Sequence, residues 1–167
     1  MSGIRELDDL AKSLGNMTEV LPNRELGKIV KRGADMVLRA TRSAAPMKTG
    51  QLRDGIVLHK EKSKHKGKAI YDVYMDPNKN DVFQKPIKNR VRSQRSYAYY
   101  PASQEHGFFS RRPDGGMTYT RPDGSVAGIN KVPGKHYMRT GAEVAGEAAK
   151  KEIVTGITDV IVKEFGG

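Results

Sequence analysis

The stretch Ala45-Pro46-Met47-Lys48-Thr49-Gly50-Gln51-Leu52-Arg53-Asp54-Gly55-Ile56 decides how the chain is read. A helical pattern stops there and a strand pattern begins. Upstream, Leu26, Ile29, Val30, Gly33, Val37, Ala40 and Ala44 recur at three- and four-residue steps, which is one face of an α-helix. Pro46 ends that helix, because proline has no N–H to continue the ladder and pushes Ala45 out of the helical region. Thr49-Gly50 permits a tight turn, since glycine tolerates positive φ. Leu52 and Ile56 are apolar anchors on either side of the exposed pair Arg53-Asp54. The stretch reads as a corner that locks a helix to the edge of a sheet.

Working outward, the long helix is expected from Pro22, which suits a first turn, to Ala44. Its outer face is basic: Arg24, Lys28, Lys31, Arg32, Arg39 and Arg42. Arg39 and Arg42 also suit the negative end of the helix dipole. Before it, Ile4, Leu7, Leu10, Ala11 and Leu14 keep helical spacing, with Ser2 as an N-cap and Gly15 as a stop. Residues 1–21 are expected to form a helical arm and linker, packed on its own domain or on a neighbouring subunit.

After the corner, residues 55–59 and 69–75 read as two strands joined by a charged connection from Lys60 to Lys68. Asp76-Pro77-Asn78 closes the second strand. Residues 77–95 lack periodicity and read as a long polar loop, with Val82, Phe83, Pro86, Ile87 and Val91 as isolated apolar points. Tyr97 to Tyr100 reads as a third strand, and Ala102 to His106 as a helical turn ending at Gly107. Residues 108–131 form a second excursion, where two Arg-Pro-Asp-Gly turn sequences flank the β-prone Met117-Thr118-Tyr119-Thr120. From His136 the chain reads as helix almost to its end. Met138, Ala142, Ala145, Ala149, Glu152 or Ile153, Gly156 or Ile157, and Val160 or Ile161 mark its buried face.

The fold class that follows is α+β: a small, mostly antiparallel sheet packed against two long helices. A loop (77–95) and a β-ribbon (108–131) project from it, and residues 22–167 form one domain. An isolated two-stranded ribbon is marginal in water, so these projections are expected to be held by other chains. Leu26, Ile29, Val30, Val37, Leu52, Ile56, Val73, Ala145 and Ile157 are the expected core.

Composition narrows the function. At 167 residues the chain is long enough for a real core, yet only 37% of it is hydrophobic. Part of its burial is therefore expected against another subunit. There is no cysteine, hence no disulfide framework and no thiolate metal site. No apolar run approaches the roughly 20 residues of a membrane span, and the N-terminus lacks a signal-peptide apolar core. The formal charge of +11 points to polyanions or acidic protein surfaces as partners. A solvated basic surface is the plainer reading.

No catalytic constellation emerges. His59, His65, His106 and His136 are scattered without metal-ligand spacing. Asp54, Asp72, Asp76, Asp81, Glu105 and Asp114 show no motif spacing for a magnesium site. There is no nucleophile elbow, and Gly115-Gly116 fits a β-turn better than a phosphate cradle. No enzymatic activity, cofactor or metal is expected.

Three stretches in order carry a resemblance. They are the corner with Pro46, Thr49, Gly50, Leu52 and Arg53; then Tyr97 and Ala98 leading to Glu105 and Gly107; then Pro133, Tyr137, Met138 and Arg139 opening the last helix. Together they resemble the tail-completion, or neck, proteins of long-tailed bacteriophages, the family of the lambda minor tail protein Z. The chain departs from that pattern in the spacing of Glu105 from Tyr97-Ala98, in Phe108 after the glycine, and in the long 108–131 insertion. The resemblance implies a virion structural protein at the head–tail junction, assembled in the host cytoplasm. It implies a homo-oligomeric ring, sixfold or alternatively twelvefold, around the path of the genomic DNA. The head connector or stopper and the tail terminator or tail tube protein would be its neighbours, with no membrane involved. Lys85, Lys88, Arg90, Arg92 and Arg95 are the candidate partner contacts. The alternative from the residues themselves is a non-enzymatic basic nucleic-acid-binding protein, in which Arg92 to Tyr100 tracks phosphates and stacks bases.

Overall fold

The computed structural model describes residues 21–86, 97–111, 117–120 and 122–165. The expected helix over residues 4–14 lies outside them. So do Lys88, Arg90, Arg92, Arg95 and the first Arg-Pro-Asp-Gly turn. The elements run α1 (Asn23–Ala44), α2 (Gln51–Asp54), β1 (Ile56–Lys60), β2 (Tyr71–Met75), a 3-10 turn (Pro77–Lys79), α3 (Asn80–Phe83), β3 (Gln84–Pro86), β4 (Tyr97–Tyr99), α4 (Tyr100–His106), β5 (Gly107–Arg111), β6 (Met117–Thr120), β7 (Val126–Pro133) and α5 (Tyr137–Phe165). The fold is α+β.

The strands divide among three small sheets where the sequence reading has one: β1-β2, β3-β4 and β5-β7-β6. Breaks in the chain explain the division. Pro86 cannot extend the β3 ladder, having no N–H. Gly107, at φ 83°, turns the chain out of α4 directly into β5. The ribbon expected over 108–131 is thus a three-stranded antiparallel sheet that also takes in Gly107 and Pro133.

The described chain forms two compact units, with α1, β1, β2 and α5 each giving residues to both. In the first (21–40, 57–74 and 141–165), α1 and α5 pack antiparallel. Gly33 of α1 faces Ile153 and the Ala149 carbonyl, and Gly156 of α5 faces Ile29 and Arg32. A Cβ at Gly33 would stand 2.8 Å from Ile153 Cδ1, so the two axes approach only because that carbon is missing. Ile29, Ala145 and Ala149 are buried around them. Arg32 Nε meets Glu152 Oε1 at 2.9 Å on the flank, a half-exposed pair that contributes little. Ala142, expected in the buried face, is exposed: the packed stripe runs through Gly141, Ala145 and Ala149 instead. Pro22 stands just before α1, and its carbonyl accepts the Glu25 and Leu26 N–H groups. The Asn23 side chain pins the β1–β2 connection, donating to the His65 carbonyl at 2.9 Å and accepting the Gly67 N–H at 2.7 Å. His59 and Tyr74 meet edge to face at 5.9 Å.

The second unit (41–56 and 75–140) contains the corner. Gly50 takes φ 78°, α2 follows as one helical turn, and Leu52 and Ile56 are fully enclosed. The Arg42 guanidinium donates twice to the Ile56 carbonyl, 3.0 Å from Nε and 2.7 Å from Nη2. That pair of bonds ties the end of α1 to the start of β1, a tighter role than the dipole interaction read from the sequence. The Asp76 N–H donates to the Gly55 carbonyl at 2.7 Å, and the Asp76 carboxylate caps the 3-10 turn through Asn78 N–H at 2.9 Å. The region expected as a loop from residue 77 is ordered secondary structure through Pro86. Its anchor is Phe83, fully buried against Gly55 and edge to face with Tyr99 at 6.2 Å.

Candidate functional site

The sequence-predicted residues that the structure describes all lie in the second unit. Residues 104–107 and 133–139 meet backbone to backbone. The Lys135 N–H donates to the Gln104 carbonyl at 2.7 Å, and the His136 N–H to the Glu105 carbonyl at 3.2 Å. Gly107 and Pro133 face each other in the β5–β7 register. A Cβ on Gly134 would run into the Glu105 carbonyl, and one on Gly107 would stand 2.5 Å from the Val132 carbonyl. The two segments touch so closely that only glycine fits at either position.

Glu105 is the hub. Its carboxylate accepts the Met138 N–H at 2.9 Å and the Arg139 N–H at 3.3 Å. Those N–H groups belong to the first turn of α5, where the helix itself supplies no acceptor, at the positive end of the helix dipole. Glu105 therefore caps the last helix from a distant element. His106 beside it is exposed. Tyr137 is 1% exposed, and its hydroxyl donates to the Pro101 carbonyl at 3.4 Å, with Met75 Sδ at 3.6 Å. Burial pushes its phenol well above the ordinary value, and the charges of Glu105, Tyr99 and Tyr100 add to that. His136 holds φ 49°, a left-handed conformation at the residue just before α5.

The corner residues lie in the same unit. Leu52 is core, Gly50 makes the turn, and Arg53 is exposed, with Nη1 donating to Met47 Sδ at 3.2 Å. Thr49 is exposed and Pro46 half-buried. Tyr97 and Ala98 sit on β4, opposite Pro86 and Lys85, and both are exposed. Beside the corner lies a hollow of about 270 Å³, lined by Lys48, Thr49, Gln51, Val82, Phe83, Lys85 and Tyr100. Two ammonium groups, a hydroxyl and an amide around an apolar floor suit a carboxylate-bearing partner side chain. Of the basic partner candidates, Lys85 is at this hollow; the other four lie outside the described residues.

Sequence reasoning missed Lys48, Phe83 and Tyr100 as a group. A lone phenylalanine among polar residues has no period, and the one signal pointing to it was Gly55, whose missing side chain makes room for the Phe83 ring. Among the described residues, no group of three or more His, Cys, Asp or Glu side chains could hold a metal ion. Among them also, no helix is long and apolar enough to cross a membrane.

The family model described as "Bacteriophage HK97-gp10, putative tail-component" matches residues 8–101. The match takes in the corner, the β1–β2 pair and Tyr97-Ala98, and ends before Glu105. No curated protein and no solved structure matches the chain.

Proposed function

The chain belongs to the HK97-gp10-like family of bacteriophage tail components, and on that premise we propose that it is a non-enzymatic structural protein of the virion neck. In this reading it completes the top of the tail and joins it to the head connector, as a ring around the DNA path. The observation that carries the proposal is the second unit's division of labour. Its motif residues Glu105, Gly107, Tyr137 and Met138 are engaged in holding the unit together. Lys48 and Lys85 stand exposed around a hollow, available to an acidic neighbour. A ring repeats one heterologous contact until it closes. A charge of +11 on every subunit is self-repulsive unless acidic neighbours or DNA offset it.

Reversing the pair, Lys48→Glu with Lys85→Glu, tests this in a complementation assay. The subunit should fold, while filled heads and separate tails accumulate. Arg90→Glu with Arg92→Glu, in the basic segment that follows, should act the same way. Normal infectious particles from both double variants would overturn the proposal. Tight duplex-DNA binding by the free subunit, weakening steeply with salt, would favour the nucleic-acid-binding alternative.

A further inference from the structure

Among the described residues, one flank of α5 is left uncovered. Val144, Ala148, Lys151, Thr155, Thr158 and Val162 are all exposed and follow one another at alternating steps of four and three. Val154 lies beside this stripe. The three valines are 73%, 62% and 59% exposed. Single exposed apolar residues are ordinary. A stripe of valine, alanine and threonine at the spacing of a helix–helix seam, on the flank roughly a third of a turn round from Ala145 and Ala149, is not scatter. By contrast, the outer face of α1 carries charges, several of them paired: Lys28 with Glu25 and Lys31 with Asp35.

We propose that this stripe is the docking face for the chain's own N-terminal segment, residues 1–20. Three observations select that occupant. The first is position. Because α1 and α5 run antiparallel, the chain enters α1 beside the C-terminal end of α5. The Glu25 carboxyl, held below its usual range mainly by Lys28, also feels the Lys163 ammonium there. Leu21, buried, fixes the point from which the segment departs. The second is spacing. Ile4, Leu7, Ala11 and Leu14 step by three, four and three, the same seam period as the stripe. As a helix, residues 4–14 would span roughly 16 Å. The six residues 15–20 reach up to roughly 20 Å, enough to lay that helix back along α5 from Val162 towards Lys151. The third is charge. Lys151 sits near the middle of the stripe, and Glu6, Asp8 and Asp9 flank the leucines of the segment. Two copies of α5 paired antiparallel through this stripe would instead bring their Lys151 ammonium groups together.

The inference is independent of the neck role, since it concerns the subunit alone. Hydrogen exchange on the full-length protein tests it, comparing wild type with Val154→Asp plus Val162→Asp. Both changes are on exposed positions, so circular dichroism and the unfolding midpoint should stay close to wild type. Amides of residues 4–14 should be protected in the wild type and lose protection by roughly tenfold or more in the variant. No protection in the wild type, or unchanged protection in the folded variant, would overturn the proposal. The chain has no cysteine, so Leu14→Cys with Val162→Cys gives a clean second readout. A disulfide within one chain supports the assignment. A disulfide found only between chains would give the stripe to a second copy's segment and overturn it.

Discussion

The Glu105 carboxylate accepts the Met138 backbone N–H at 2.9 Å, across a sequence separation of 33 residues. A helix of 29 residues thereby starts where another element's side chain allows it to start. Glu105→Gln keeps the shape but offers one weaker acceptor and no charge to the helix end. It should lower stability by about 1–2 kcal/mol, read as a lower urea midpoint with unchanged slope. An unchanged midpoint would mean that the cap is a crystal-clear geometry without energetic weight.

Tyr137 makes the alkaline limb of stability steeper. Its phenol is pushed above the ordinary value of 10.0 by burial, so the folded state binds the hydroxyl proton more tightly than the unfolded state does. That contribution is fully present below about pH 10 and falls as pH rises towards the folded pKa. Tyr137→Phe should cost about 0.5–1.5 kcal/mol at neutral pH through the lost hydrogen bond to Pro101. Above pH 10 the difference from wild type should shrink, because the variant has no phenol to ionise. Denaturation at pH 7 and pH 10.5 checks the sign; a gap that widens with pH would contradict it.

The corner is a structural joint. Leu52, 2% exposed, should cost about 2–5 kcal/mol when cut to alanine. Arg42→Met removes the two charge-assisted bonds to the Ile56 carbonyl while keeping much of the side chain's packing. It should cost about 1.5–3 kcal/mol. Thermal unfolding of both variants would show lower midpoints, with Leu52→Ala at least as severe.

His136 holds a left-handed backbone where glycine would be relaxed. His136→Gly should therefore leave the protein as stable or more so, whereas His136→Val, β-branched at positive φ, should destabilise it by roughly 1–2 kcal/mol. A destabilised glycine variant would show that the imidazole itself is needed there.

Several of these features were legible early because they rest on local rules. Pro46 stops α1, Thr49-Gly50 turns the corner, and the spacing from Leu26 to Ala44 marks a helix face; each follows from backbone chemistry or periodicity within a few residues. Phe83 was illegible, because an aromatic residue in a polar stretch gains its burial from Gly55, which lies far from it in the chain. The α5 stripe was hidden for the opposite reason. Apolar and small residues lie on both sides of that helix, and periodicity alone does not say which side meets α1.

By itself, the sequence determined the two long helices, the corner between the first of them and β1, the α+β class, and the resemblance to phage tail components, which the family match over residues 8–101 supports. These depend on neighbours along the chain. Tertiary structure alone decided that Glu105 serves as a helix cap, that Arg42 holds a carbonyl of the corner, that the strands form three sheets, and that Lys48 and Lys85 share one hollow. Each of these joins residues distant in sequence. Close approaches such as those at Gly55 to Phe83, and at Gly107 and Gly134 between residues 105–107 and 132–134, need a missing Cβ, and no local pattern encodes that.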